Sequence, residues 1–388
     1  MQYAKVALNL VLSSALLLLG CATSGNPAPQ SPSASAGIEV PSAPRVQALT
    51  RVRIASGLAN PRGLHVLPDG SLLVATAGTG DPANPNSGAL LRLTDTNHDG
   101  DFEDEGERAT VLGDQPSTNL LDIVRRDEVF GLAGMAEGNG AVLVSLAFFG
   151  GPSKIFRVDG AQVTTWATTQ ANINDLTFDP SRSAWYGTAS TTDEVVRLRE
   201  GGRSERVVKV PTLASGQDSV PAYLRHDPVS GEILVSLFSG SPEGEEGGEG
   251  IELIPRAASV IRVNPDTRKI TPVVTALTVP TDLEVGPDGS IYVLEFCDAF
   301  VDPVKDRAAL AQLGHAGFHR FSGRLLKIDR TSGEVTILAE GLDEPTNMVL
   351  AGGALYIAQG MGTPGRPIPG PTGEPTTLMG FIERITLQ

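Results

Sequence analysis

ALLRL, at residues 89–93, is the first of six short apolar strands that carry a basic residue at their fourth position. The other five are KIFRV (154–158), EVVRL (194–198), SVIRV (259–263), RLLKI (324–328) and FIERI (381–385). Upstream of each lies a turn followed by another apolar strand, as in LPDGSLLV (67–74) and GPDGSIYV (286–293). Asp-Gly and Gly-Gly turns tolerate the positive φ angles of tight hairpins, so each repeat predicts an antiparallel meander.

The two ends of the chain complement each other. In five repeats a fourth, outer strand follows the basic strand, as in VTTWA (163–167), but ITLQ (385–388) ends the chain before the sixth repeat can form one. TRVRIA (50–55), just upstream of the first repeat, can supply the missing strand. Sharing one sheet between both ends closes a ring and protects its edges. We therefore predict an all-β fold, a six-bladed β-propeller whose last blade is closed by the N-terminal strand.

The N-terminus has the pattern of an export signal. Lys5 precedes a mostly apolar run, Val6 to Leu19, that is too short to span a bilayer comfortably. Leu18-Leu19-Gly20-Cys21 resembles the bacterial lipobox, in which the Cys is acylated, with chains such as palmitate, and becomes the first residue. An ordinary secretory signal with an incidental Cys is the alternative. We expect a lipoprotein signal peptide over residues 1–20 and a lipid anchor on Cys21, which tethers the exported protein to a bacterial membrane.

The next segment and the overall charge complete this picture. Residues 21–45 are rich in Pro, Ser and Ala, so we predict a disordered linker followed by the propeller over 46–388. Ala22, rather than Asp, follows the Cys, which resembles the signal for an outer membrane if the host has one.

The net charge of −15 repels phosphate backbones, so nucleic acid is excluded as a partner. We expect a monomer.

Three phrases carry a resemblance to a known group: GLANPRGLHVLPDGSLLVA, VPTDLEVGPDGSIYVLEF and GEVTILAEGLDEPTNMVLAGGALYI. They resemble NHL-type and gluconolactonase-like (SMP-30-like) propellers, and the chain is most similar to the scytonemin-associated ScyD/ScyE family. The resemblance covers most of residues 46–388. It implies the fold strongly and the function weakly, because propellers host unrelated activities.

Long insertions are predicted to share one face of the ring. They follow the second strand of their repeats, and strand order places all such loops on one side. They are residues 77–88, 239–258, 297–322 and 359–380. Loops on a rigid scaffold commonly carry function, although neutral drift in surface loops is the alternative. We call this side the loop-rich face and the other the opposite face.

Residues at the start of each innermost strand should surround the axial channel on the loop-rich face. The candidate ligand-binding or channel residues are Arg62, Asn174, Asp175, Tyr223, Thr281, Asp282 and Asn347. The oxygens of Asp175, Asp282 and Asn347 could hold a second cation, as gluconolactonase-like propellers do. Arg62-Gly63 stands where that resemblance implies the first acidic ligand. Asp and Asn that bond turn backbone are the alternative.

Glu295, near the end of a blade-5 strand, is the candidate general base if the protein is an enzyme. It could reach the channel mouth, or pair with a neighbouring Arg or Lys. The sequence thus leaves it open whether this carboxylate is catalytic or structural.

The acidic segment DTNHDGDFEDEGE (95–107) predicts a structural Ca²⁺ site on the opposite face. Acids at alternate positions followed by Gly100 match the first half of a calcium loop, although Gly106 stands at the twelfth position. The candidate ligands are Asp95, Asn97, Asp99, Asp101, Asp104 and Glu107. A bare acidic loop is the alternative.

Two functions compete on this basis. The first is a surface-tethered propeller that binds a small molecule or a protein through its loop-rich face. The second is a metal-dependent hydrolase or lactonase acting in the channel. A quinone-dependent sugar dehydrogenase ranks last, because Arg62 is the only cation among the channel residues. Binding is the preferred interpretation, and whether the protein is an enzyme stays open.

Overall fold

The computed structural model describes residues 37–120, 127–147, 152–239, 254–297, 318–370 and 372–387. Apart from two single-turn 3₁₀ helices, Ser190–Thr192 and Glu200–Gly202, the regular structure in these ranges consists of strands. None of the described segments forms a helix with the length and apolar character needed to cross a membrane.

Three strands precede the first complete blade. They are β1 (Ile38–Glu39), β2 (Arg45–Val46) and β3 (Arg51–Leu58). Each pairs with a blade formed later in the chain, so this segment lies along the rim of the ring.

Blades 1, 2 and 3 are four-stranded antiparallel meanders, each numbered from the axis outward. Blade 1 contains β4 (Pro61–Val66), β5 (Leu72–Thr76), β6 (Gly88–Leu93) and β7 (Arg108–Gln115). A small hairpin, β8 (Thr118–Asn119) and β9 (Val129–Phe130), leads to blade 2, with β10 (Leu132–Gly138), β11 (Ala141–Leu146), β12 (Ser153–Asp159) and β13 (Gln162–Thr169). Blade 3 contains β14 (Ile173–Asp179), β15 (Ala184–Ala189), β16 (Glu194–Leu198) and β17 (Ser204–Lys209).

Blades 4, 5 and 6 repeat the meander and also receive the N-terminal strands. Blade 4 contains β18 (Pro221–Asp227), β19 (Glu232–Leu237), β20 (Ala258–Val263) and β21 (Ile270–Leu277). Blade 5 contains β22 (Pro280–Val285), β23 (Ile291–Glu295), β24 (Gly323–Ile328) and β25 (Val335–Leu342). Blade 6 contains β26 (Asn347–Ala351), β27 (Ala354–Gln359), the inserted hairpin β28 (Pro367–Pro369) and β29 (Pro375–Thr377), and β30 (Gly380–Thr386).

Blade 6 is closed by β3, which pairs antiparallel with β30 from Arg51↔Ile385 to Leu58↔Gly380. This confirms the predicted six-bladed ring and the strand that completes it. Six apolar clusters each fill the space between two neighbouring blades, and the cluster at the closure joins Ile54 and Ile382 of blade 6 to Leu64 and Leu72 of blade 1. Burial of apolar side chains between blades therefore stabilises the ring where no covalent link does.

The described part of the predicted linker lies on the propeller. β1 pairs in parallel with β21 of blade 4, and β2 pairs in parallel with β25 of blade 5. Val40 is 1% exposed in the core between these blades, and Arg256 Nη2 donates to its carbonyl at 2.6 Å. The structure thus differs from a boundary at residue 46, because this short apolar segment caps otherwise unpaired blade edges.

The repeated basic residue of the third strand also has a structural explanation. Arg92 binds Asp69 in the hairpin turn of its own blade, and Lys327 Nζ does the same with Asp288 at 3.0 Å. Such partly exposed pairs each contribute no more than about 1 kcal/mol. In blades 1 and 5 their main effect is to fix the hairpin on the opposite face of the ring.

Candidate functional site

The innermost strand of each blade starts at the loop-rich face, and its first residues line the channel there. The structure places Arg62 in β4, Asn174 and Asp175 in β14, Tyr223 in β18, Thr281 and Asp282 in β22, and Asn347 at the start of β26. Contacts across the axis bring several of them together. Tyr223 Oη donates to the Arg62 carbonyl at 3.1 Å, and Asn347 Nδ2 donates to Asp282 Oδ2 at 2.6 Å.

Arg225, which the sequence analysis did not single out, lies among the predicted cation ligands. Its Nη1 contacts Asp175 Oδ2 at 2.7 Å, its Nη2 contacts Asp282 Oδ2 at 3.0 Å, and its Nε contacts Glu284 Oε1 at 3.0 Å. Asp175 and Asp282 are 0% exposed. We call Arg225 and these three carboxyl groups the lower layer of the channel. Arg225 comes two residues after Tyr223 along β18, so it lies further from the loop-rich face, where β18 starts.

The lower layer contains the residues of the predicted channel cation, Asp175, Asp282 and Asn347, and that cation stays a prediction. Asp282 Oδ2 accepts from Arg225, from Asn347 and from the Met348 backbone at 2.8 Å. Asn347 Oδ1 accepts from the Leu64 backbone at 2.8 Å. The Arg225 guanidinium group and two backbone amides therefore already engage these oxygens of Asp282 and Asn347.

One carboxyl oxygen of this layer stays without a partner, Asp175 Oδ1. Burial raises the pKa of Asp175, against the opposing effect of Arg225. Burial also raises the pKa values of Asp282 and Glu284, and the three carboxyl groups that share one guanidinium group raise one another's pKa by repulsion.

Arg62 forms what we call the upper layer, nearer the loop-rich face. It is 7% exposed, and its contacts are longer than those of Arg225: Nη1 to the Val129 carbonyl at 3.1 Å, Nη1 to Glu128 Oε1 at 3.3 Å, and Nη2 to Asn174 Oδ1 at 3.4 Å. Its Nε has no partner. Burial alone would lower the pKa of Arg62, but Tyr223 and Glu128 raise it, so the group stays charged.

Thr281 and Tyr223 serve the architecture of the channel. Thr281 Oγ1 donates to the Leu294 and Pro345 carbonyls at 3.2 and 3.3 Å. Burial raises the pKa of Tyr223, which keeps its hydroxyl protonated as a donor to the Arg62 carbonyl. Both residues lie at the predicted positions, but their polar groups are engaged with the backbone.

Glu295 is engaged in an ion pair. It is 0% exposed, its Oε2 accepts from Arg324 Nε at 2.9 Å, and its Oε1 accepts from the Thr278 backbone at 2.6 Å. Of the two roles that the sequence left open, the structure shows the pair with a neighbouring Arg. Both carboxyl oxygens of Glu295 are thus engaged in hydrogen bonds within the protein.

An aromatic cluster lies beside the upper layer and was missed by the sequence analysis. Met361 Sδ is 3.6 Å from Arg62 Nη1, and Met361 packs with buried Phe296 and Phe318 and with partly buried Phe238. Each comes from a loop that follows the second strand of a blade. Cys297, the described thiol, is buried in this cluster. Isolated aromatics on separate loops give no periodic signal, so only the fold brings them together.

Buried charges surround Glu344, on the same face. Arg320 pairs with Asp343, Arg366 Nη1 pairs with Asp127 Oδ2 at 2.6 Å, and all four groups affect the Glu344 carboxyl. Glu344 is 0% exposed, neither of its carboxyl oxygens has a partner, and its φ is +47°. Burial, reinforced by Asp343, raises the pKa of Glu344 well above its usual value.

The acidic loop on the opposite face brings three predicted calcium ligands together. Carboxylate oxygens of Asp99, Asp101 and Asp104 all lie within 4.8 Å of one another. Asp95 accepts from the backbone of His98 and Gly100 at 2.6 and 3.0 Å.

The other predicted calcium ligands serve the loop itself. Asn97 Nδ2 donates to Asp104 at 2.6 Å. Glu107, 1% exposed, accepts from the backbone of Thr96 and Asp104 at 2.8 and 3.2 Å, so its carboxylate closes the loop.

Fold and channel together define a six-bladed β-propeller whose axis is crossed by ionic side chains. No protein-family model matches the sequence, and no curated protein matches it. Solved structures do match the fold. A Bacteroides thetaiotaomicron protein of unknown function has a TM-score of 0.51 at 13% identity, over 87% of this chain and 73% of that one.

Two further solved structures have lower TM-scores. A virginiamycin B lyase from Staphylococcus aureus has a TM-score of 0.47 at 11% identity, over 88% of this chain and 99% of that one. A luciferin-regenerating enzyme has a TM-score of 0.49 at 11% identity, over 87% of this chain and 95% of that one. At such identities the likeness shows the fold alone.

Proposed function

We propose that the protein is a membrane-anchored, extracytoplasmic β-propeller that binds a ligand or a protein partner through its loop-rich face. The observation that carries this proposal is the upper layer. There a buried, charged Arg62 keeps an unused donor beside an aromatic cluster, among loops that four blades contribute. Incompletely used polar groups on a rigid scaffold are typical of binding sites.

The alternative, a metal-dependent lactonase or hydrolase in the channel, has less support. It needs free oxygen ligands on Asp175 and Asp282, but Oδ2 of each binds Arg225, and of these two groups Asp175 Oδ1 is the buried oxygen without a partner. It also needs a general base, and Glu295 is paired with Arg324. Residues that would have to hold a metal and move a proton are thus engaged in structural contacts.

The lipid anchor on Cys21 and the export signal stay predictions, because residues 1–36 lie outside the described part of the chain. The similarity to ScyD/ScyE proteins likewise rests on the sequence phrases alone.

Hydrogen exchange tests the binding proposal. The full-length protein is incubated with fractions of a small-molecule and protein extract from the source bacterium. An active fraction should slow amide exchange in the insertions at 77–87 and 360–370, while the acidic loop at 95–107 provides the internal control. If exchange slows equally on both faces, or on neither with every fraction, the proposal is wrong.

A separate test addresses the anchor. Cys21→Ser should move the protein from the detergent phase to the aqueous phase in Triton X-114 partitioning, because acyl chains supply the membrane affinity. Cys297→Ser is the matched control and should remain in the detergent phase. A wild-type protein that partitions into water would contradict lipidation.

We also propose that the acidic loop binds Ca²⁺ and that the ion stabilises the ring closure. Phe102, inside the loop, packs in the core between blades 6 and 1, and its amide donates to the Ile54 carbonyl of β3 at 2.7 Å. Arg108, at the end of the loop, donates to the Ser56 carbonyl at 2.7 Å. An ion that neutralises Asp99, Asp101 and Asp104 would hold this loop against the N-terminal strand.

Calcium titration of the melting temperature checks this proposal. At 100 times its Kd, Ca²⁺ stabilises a protein by about 2.7 kcal/mol, so the wild type should melt several degrees higher with calcium than with a chelator. Asp99→Asn should abolish that dependence, whereas Asp81→Asn, an exposed acid on the loop-rich face, should keep it. Equal melting temperatures with calcium and with chelator would contradict the site.

A further inference from the structure

Arg62 presents an open hydrogen-bonding edge inside the loop-rich face. A guanidinium group has five N–H donors, and its Nε and Nη2 donors lie side by side along one edge. Nε has no partner, and Nη2 has one long contact, to Asn174 Oδ1 at 3.4 Å. The contacts to Val129, Glu128 and Met361 all involve Nη1. The Tyr223 phenol also lies close enough to raise the pKa of Arg62. Nε nevertheless has no hydrogen-bond partner, and Nη2 has only its long contact.

This arrangement is unusual for a buried charge. Arg62 is 7% exposed, yet its one ion pair, to Glu128, is 3.3 Å long. Charge-assisted hydrogen bonds are normally about 2.7–2.9 Å. By contrast, all three nitrogens of Arg225 reach a carboxylate within 3.0 Å. The fold satisfies Arg225 and leaves Arg62 with donors that an incoming anion could use.

The surroundings of the guanidinium group indicate the rest of the ligand. Met361 joins Arg62 Nη1 to the cluster of Phe296, Phe318 and Phe238, and the Phe130 ring centroid is 5.9 Å from the Arg62 guanidinium carbon. Phe130 and Asn174 are partly exposed. Apolar walls strengthen an ion pair and accept an apolar group.

We propose that Arg62 is the anchor for an organic carboxylate with an aromatic or aliphatic body, bound through the Nε–Nη2 edge of the guanidinium group. A carboxylate matches two parallel donors in a plane. The net charge of −15 repels anions in general, so recognition depends on this one local cation. The proposal rests on the proposed binding function and names the chemical class that the same face would accept.

Calorimetry with phenylacetate and with its neutral amide, phenylacetamide, tests the proposal on the full-length protein. The wild type should bind phenylacetate, and phenylacetamide at least about tenfold more weakly, because the amide lacks the charge that the guanidinium group recognises. Inorganic phosphate should bind more weakly than phenylacetate because it lacks an apolar body. No binding of phenylacetate, or tighter binding of phosphate or of the amide, would overturn the proposal.

Variants locate the binding. Arg62→Gln should weaken phenylacetate binding at least about tenfold, and Arg62→Lys, which keeps the charge without the planar pair of donors, should also weaken it. Arg92→Gln, on the opposite face, is the matched control and should bind like the wild type. If Arg62→Gln does not fold, Arg62→Lys alone decides. Unchanged affinity in the variant that folds would overturn the assignment.

The two proposals fail in different ways. If an extract fraction protects the loop-rich face equally in Arg62→Lys and in the wild type, the carboxylate site is wrong and the binding function stands. If no fraction protects that face in the wild type, the binding function fails whatever phenylacetate does.

Discussion

Arg62 is buried and Arg225 is partly buried in the same channel, but the two differ in the contacts that surround their guanidinium groups. Arg225 contacts three carboxyl groups from blades 3 and 5, each within 3.0 Å, and donates to its neighbour's carbonyl at 2.8 Å. Arg62 has one carboxylate at 3.3 Å and an Nε without a partner. A charged group loses its hydration when it is buried. In the lower layer the contacts with three carboxyl groups compensate for that loss, whereas the longer contacts of Arg62 do not.

The difference separates a structural ion cluster from a candidate binding site. In the lower layer the acids that resemble metal ligands hold three blades together through a side-chain cation. In the upper layer the same kind of cation faces loops and aromatic rings. Whether a polar residue in the channel is structural or available to a ligand can therefore be judged only from the number and length of its contacts.

The largest expected effect comes from removing the satisfied charge. Arg225→Met should lower the free energy of unfolding by about 3–5 kcal/mol, because Asp282 and Glu284 would remain buried without their counter-ion. The loss should be smaller at pH 5 than at pH 8, since protonation relieves the unpaired acids. Urea denaturation at the two pH values measures both.

Arg92→Met is the matched control for this variant, because it breaks one exposed pair with Asp69. It should cost no more than about 1 kcal/mol. If Arg225→Met lowered the stability equally little, the lower layer would not be a structural ion cluster. Its acids would again be candidates for another role.

Part of the difference between the two layers could be predicted from the sequence. Six repeats with a basic fourth residue predicted the ring, and the short C-terminal end predicted β3. Arg225 could have been found as well, since residues two apart on a strand share a face, and Tyr223 was already assigned to the axis. The same step leads from Asp282 to Glu284.

Other features could not be derived from the sequence. Glu344 and Arg320 meet because the blade-5 insertion contacts the loop that leads into blade 6, through Arg320 and Asp343, and no sequence spacing encodes such a contact. The unpartnered edge of Arg62 depends on tenths of an ångström in loop positions. The parallel pairing of β1 and β2 arises because blades 4 and 5 leave edges for a short segment to cover, while its composition resembles a linker.

Glu344 extends the comparison to a buried group with no partner, and its effect should be intermediate. Its pKa is raised in the folded state, so it contributes stability below the pKa of the unfolded chain, and that contribution is lost as the pH rises through the folded pKa. One such group changes stability by at most about 1.4 kcal/mol per pH unit. Glu344→Gln mimics the protonated acid, so it should melt above the wild type at pH 9 and close to it at pH 5.

Asp343→Asn provides the contrast for this experiment, because Asp343 is paired with buried Arg320. It should destabilise the protein at both pH values. Melting curves of the two variants and the wild type, recorded from pH 5 to pH 9, separate the effects. If Glu344→Gln lowered the melting temperature throughout, the Glu344 carboxyl would be an ionised group with a partner.

The smallest expected effect on stability is that of Arg62→Gln, which should cost less than about 1 kcal/mol in urea denaturation. Its one counter-ion, Glu128, is partly exposed and can be hydrated, and the contacts that are lost are long ones. Residues kept for a ligand contribute to binding rather than to folding, so a mild stability loss combined with a large loss of phenylacetate affinity is the expected signature. A loss of stability as large as that of Arg225→Met would instead show that Arg62 has a structural role like that of Arg225. The contrast between the two layers would then disappear, and with it the main physical reason to place a binding site on this face.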